Sequence, residues 1–83
     1  MTLMKRGEAY RMQRRYEEAL RDANRALELD PNHAWALASR GSSYRMLGRY
    51  EEALRDLNRA LELDPNNALA LEQRELLPQQ FGQ

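Results

Sequence analysis

Cysteine is absent from this chain of 83 residues, which excludes disulfide staples and thiolate metal sites. Histidine occurs once, at His33, which without cysteine makes a zinc site implausible. Net charge is missing too. Thirteen Lys and Arg offset thirteen Asp and Glu, leaving no global field to draw nucleic acid or an acidic membrane surface. No stretch nears the ~20 apolar residues of a membrane span, and the segment Met1-Thr2-Leu3-Met4-Lys5-Arg6-Gly7 has no apolar core of signal-peptide length. These absences point to a cytoplasmic chain with no metal, no cofactor, no nucleic acid and no membrane among its partners. At 9.7 kDa one small domain is the ceiling, and its stability margin is thin without a partner.

What the chain does have is a second copy of itself. Residues 3–34 align without a gap on residues 37–68, with about three-quarters of the positions identical. The offset matches the ~34-residue period of helix-turn-helix repeats. A third copy starts at residue 69 and stops at Pro78. The abrupt start inside the first copy reads as a piece of a longer array.

Each copy should hold two helices. Tyr16, Ala19, Leu20, Ala23, Ala26 and Leu27 recur at steps of three and four, and Tyr50, Ala53, Leu54, Leu57, Ala60 and Leu61 repeat that spacing. The pattern paints one apolar stripe on a helix. Between the stripes, Glu17–Arg21, Glu51–Arg55, Asp22–Arg25 and Asp56–Arg59 are spaced as helical ion pairs, most simply a solvated outer face. Glu17-Glu18 and Glu51-Glu52 open the second helices, where they suit the macrodipole. Asp30-Pro31-Asn32 and Asp64-Pro65-Asn66 end a helix, because proline disfavours helical geometry in the residue before it. Their asparagines are placed to cap the next helix. Leu47-Gly48-Arg49 marks the turn inside the second copy, where glycine admits a left-handed C-cap. The first copy has Arg14 there, at a cost of about 1 kcal/mol if that turn needs positive φ. Helices are expected at 2–13, 16–29, 34–47, 50–63 and 68–77, and residues 78–83 read as a flexible tail.

Gly7 and Gly41 sit inside first helices, where glycine costs about 1 kcal/mol relative to alanine. Repetition of that cost suggests close helix approach, most simply onto Ala19 and Ala53. Tyr10 and Tyr44, one turn on, would fill the space beyond each glycine.

Taken together, Leu3, Arg6-Gly7, Tyr10, Ala19, Ala23 and Pro31, followed by Leu37, Arg40-Gly41, Tyr44, Ala53, Leu57 and Pro65, closely resemble the tetratricopeptide repeat. The third copy keeps Leu71 and Arg74 but has Glu75 for the glycine and Pro78 for the tyrosine, and resembles the solvating helix that closes many such arrays. The resemblance implies an all-α fold, a right-handed superhelical array (α-solenoid) of antiparallel helix pairs with five helices. It divides residues 1–77 into repeat one (1–33), repeat two (34–67) and a partial repeat or cap helix (68–77). Arg6, Arg40 and Arg74 stand where the family pattern has leucine. Either they reach Asp22 and Asp56 as a ladder of charge-assisted bonds, or their stems pack and their heads reach water.

The resemblance also implies a protein-interaction scaffold whose concave face is lined by first helices. Projected onto this chain, that face carries Met4, Lys5, Glu8, Arg11 and Met12 from repeat one, with Trp35, Ala38, Ser39, Ser42, Arg45 and Met46 from repeat two. Leu69, Glu72, Gln73 and Leu76 follow from the cap. Cations beside methionines and a tryptophan suit a moderately acidic, partly apolar peptide or helix. Trp35 is either an anchor for such a ligand or a packing residue between repeats. One family subclass binds chaperone carboxylate tails. At the matching places this chain has Met4, Glu8, Ser39, Leu69 and Gln73, which lack that chemistry. The rival reading is self-association, as a dimer or helix-exchanged oligomer through exposed terminal helices. Catalysis finds no support, since Ser39, Ser42 and Ser43 have no evident base and His33 falls in a turn.

Overall fold

The computed structural model describes the backbone of residues 2–78 and the side chains of residues 12–78. It contains four helices, not five: α1 Thr2–Leu29, α2 Ala34–Met46, α3 Tyr50–Leu63 and α4 Ala68–Leu76. The expected break between 2–13 and 16–29 does not occur, and α1 runs through it for 28 residues. Glu17 and Glu18 therefore lie inside α1 rather than at a helix start.

The reason lies in two differences between the copies. In repeat two, Gly48 adopts φ +79°, in the left-handed region, where among the described residues no non-glycine is found. The backbone N–H of Arg49 then donates to the Tyr44 carbonyl at 2.8 Å, and that of Gly48 to the Arg45 carbonyl at 3.0 Å. This pair of bonds is the Schellman closure of a helix end. Repeat one has Gln13-Arg14 in place of Leu47-Gly48. A side chain in the left-handed region costs about 1–2 kcal/mol, whereas continuing the helix adds a hydrogen bond for each residue. The helix continues.

Elsewhere the turns follow the sequence with one correction. Both Asp-Pro-Asn segments form tight turns, with Pro31 and Pro65 exposed at a position their fixed φ suits. Asn32 and Asn66 do not cap helices. Their backbone N–H groups donate to Oδ1 of Asp30 and Asp64. The caps come one residue later: His33 Nδ1 accepts from the Ala36 N–H at 3.1 Å, and Asn67 Oδ1 from the Ala70 N–H at 2.9 Å.

Packing centres on α2, α3 and α4. Leu27, Ala36, Leu37, Ala38, Ala53, Leu57, Ala60, Ala70 and Leu77 form the buried core, with Tyr44, Tyr50, Leu54 and Leu61 packed against it. Ala38, expected on the concave face, is fully buried there instead. Gly41 is the close-approach point expected of it. A Cβ built there would lie 2.8 Å from the Leu57 side chain and 3.2 Å from the Ala53 carbonyl oxygen. Tyr44 packs beyond it, under the guanidinium groups of Arg40 and Arg49. The side chains of Gly7's neighbours, Tyr10 among them, lie outside the described residues, as does the tail beyond Pro78. Among the described residues α1 packs against α2 and against no other helix.

Candidate functional site

Residues 35, 39, 42 and 46 follow one another at steps of four, three and four, so they share one side of α2. The opposite side is spent on α3 through Leu37 and Gly41. Trp35 is 54% exposed and Met46 42%, with Ser39 exposed and Ser42 half-buried between them. Trp35 therefore lies largely at the surface.

α4 lies beside α2, and the two are tied across this face. Arg45 Nε donates to Gln73 Oε1 at 2.7 Å, and its Nη2 to the Met46 sulfur at 3.2 Å. Gln73 is buried and its amide also donates to Glu72. The guanidinium thus keeps a fixed place at the C-terminal end of the face. No local signal in the sequence announces a bond between residues 28 apart, and Gln73 was expected only as a lining residue.

At that same end α1 passes α2. Met12, Gln13 and Tyr16 face Met46 and Leu47 around a recess of about 400 Å³. Met12 is half-exposed, and two of the three methionines of the expected face, Met12 and Met46, line this recess together with Tyr16 and Leu47. A second recess, of about 540 Å³, lies along α1 between Arg21, Asn24, Arg25, Glu28 and Leu29. It is polar and lies apart from the α2 face. The side chains of Met4, Lys5, Glu8 and Arg11 fall outside the described residues. Their backbone continues α1, and roughly 18 Å of helix separates residue 2 from residue 14.

Behind the face, one rung of the expected arginine ladder forms. Arg40 donates from Nε to Asp56 Oδ2 at 2.6 Å, from Nη2 to Asp56 Oδ1 at 2.7 Å, and from Nη1 to Asn24 Oδ1 at 2.9 Å. The Asp56 hydrogen bonds push the Arg40 pKa above its ordinary value, against the opposing effect of burial. Arg74 repeats only the amide rung among the described residues, Nη1 to Asn58 Oδ1 at 3.3 Å. Asp22 is exposed and has no partner among the described residues. Arg6 lies outside the described side chains. The helical pairs expected at Glu17–Arg21, Glu51–Arg55, Asp22–Arg25 and Asp56–Arg59 do not form among the described residues. Arg49–Glu52 and Arg59–Glu62 form instead, since Asp56 is already taken by Arg40.

The tetratricopeptide repeat family model matches residues 1–66. No curated protein matches the chain significantly.

Proposed function

Since the chain belongs to the tetratricopeptide repeat family, whose repeats generally mediate protein–protein interaction, we propose that it is a non-catalytic module that holds a peptide or helix against α2. Trp35 carries this reading. A tryptophan left more than half exposed forgoes burial of a large apolar side chain, and exposed aromatics of this kind anchor partners. Beyond it, Ser39 and Ser42 offer small polar contacts and Met46 an adaptable apolar one. Arg45, steadied by Gln73, adds a cation at the far end. A moderately acidic, partly apolar segment complements that order. Its apolar end would sit on Trp35 and its carboxylates near Arg45, with the recess beside Met12 and Met46 admitting a further side chain.

Absence of catalysis is part of the proposal. His33 Nδ1 is occupied as a helix cap, and no histidine stands near Ser39 or Ser42 to serve as a base. Among the described residues no helix is long and apolar enough to cross a membrane.

Selection of random peptides displayed on phage tests the proposal, with capture on the wild type and counter-screening on Trp35→Ala and Arg45→Glu. Acidic sequences with aromatic or aliphatic anchors are expected, binding roughly tenfold more weakly or less to either variant. Selected peptides that bind both variants as tightly as the wild type would place the site elsewhere.

A further inference from the structure

Repeat one is half open. In repeat two, α2 covers Ala53 and Asp56 of α3, which are 0% and 5% exposed. The matching residues of α1 are Ala19, half-buried, and Asp22, exposed. The segment that should cover them is present in the sequence. Leu3, Arg6, Gly7, Tyr10, Arg11 and Met12 repeat Leu37, Arg40, Gly41, Tyr44, Arg45 and Met46. It cannot fold back within α1, because residues 6 and 22 lie on one helix with roughly 24 Å of rise between them.

We propose that this cover is supplied by a second copy of the chain, residues 2–13 of each protomer packing on residues 16–29 of the other. The register follows from repeat two. Arg40 faces Asp56, so residue 6 of one protomer faces residue 22 of its partner. The same antiparallel register sets residue 14 opposite residue 14, which places a two-fold axis there. Such an interface is isologous and closes as a dimer. Arg6 then finds the carboxylate that Asp22 leaves open, as Arg40 finds Asp56. Gly7 gains the close helix contact that Gly41 makes with Leu57 and Ala53, a contact for which an isolated stretch of helix has no use. Exchange also brings Lys5, Glu8 and Arg11 of the second copy alongside α2, completing the binding face that one chain leaves short. Arg14 is the hinge: a residue unsuited to the left-handed turn keeps α1 open, and open helices pair.

Light scattering and sedimentation equilibrium on the full chain across a dilution series test this without any peptide ligand, so the result is independent of the proposed binding face. A dimer is expected for the wild type. Gln13→Leu with Arg14→Gly, which restores the turn of repeat two, is expected to give a monomer of undiminished helical circular dichroism. Arg6→Asp should raise the dimer dissociation constant by roughly tenfold or more, and adding Asp22→Arg should bring it back. A spin label on Arg14→Cys should report a short distance between protomers. A wild type that stays monomeric throughout overturns the proposal. So does a dimer indifferent to the charge exchange, or one whose labels at residue 14 lie far apart.

Discussion

Arg40 and Asp56, sixteen residues apart in the chain, meet through two parallel hydrogen bonds of 2.6 and 2.7 Å. The carboxylate is buried, while a quarter of the arginine side chain remains open to solvent. Two-point contacts of this kind are stronger than neutral hydrogen bonds and fix orientation as well. Removing the acid leaves a partly buried guanidinium unpaired. Asp56→Ala is expected to lower stability by about 2–3 kcal/mol, with the open side of Arg40 keeping the loss below that of a fully buried pair. Urea unfolding measures it. The raised Arg40 pKa sets the sign with pH: its contribution is full below the ordinary arginine range and is lost only as pH rises through the raised value. Melts from neutral to mildly alkaline pH should show no loss from this pair.

Gly41→Ala sets two effects of opposite sign against each other. Alanine is better than glycine inside a helix by about 1 kcal/mol. The added methyl, however, meets Leu57 at 2.8 Å and the Ala53 carbonyl at 3.2 Å, and Leu57 is fully buried. Overpacking of this kind costs about 1–3 kcal/mol. A net loss of about 1 kcal/mol is expected, read from the denaturation midpoint. A gain would mean that α2 can lift from α3 without penalty.

At Gly48 the packing term disappears. Nothing lies within 4 Å of a Cβ built there, and φ is +79°. Gly48→Arg, which copies Arg14, should therefore cost about 1–2 kcal/mol from backbone conformation alone. Thermal unfolding measures the cost, and amide exchange at residues 47–50 shows whether α2 and α3 begin to join as α1 does.

The two helix caps make a matched pair. Asn67 is 1% exposed and accepts from the Ala70 N–H, so Asn67→Ala should lose about 1–2 kcal/mol. His33 performs the same task with an imidazole nitrogen in an exposed turn. His33→Asn keeps the acceptor and should leave stability unchanged or slightly raised, as a melting temperature would show.

Trp35→Ala separates scaffold from surface. Its side chain lies outside the core, so stability should stay within about 0.5 kcal/mol of the wild type. Loss of peptide capture with an unchanged melt is the expected pairing of results.

Much of the fold was legible because its signals are local. The stripe of residues 50–61, the two Asp-Pro-Asn turns and Gly48 each act within a few residues, and α3, α4 and their connections follow them. The caps were misplaced by one residue because Asn32 and His33, like Asn66 and Asn67, each carry an acceptor suited to a cap, and the backbone geometry alone chooses between them. The α2 face was traced through the family resemblance, but Arg45–Gln73 and Arg40–Asn24 join residues far apart in sequence, beyond the reach of any spacing rule.

The turn expected at residue 14, where α1 instead runs on, marks the boundary between the two kinds of information. Composition and repeat period were sufficient for an all-helical repeat chain and for its apolar stripes. Whether residues 2–13 fold back or run on was not determined locally. The balance there is about 1–2 kcal/mol, between a strained turn at Arg14 and one more turn of helix. A difference so small is settled by what packs against the result, and packing is a property of the assembled helices.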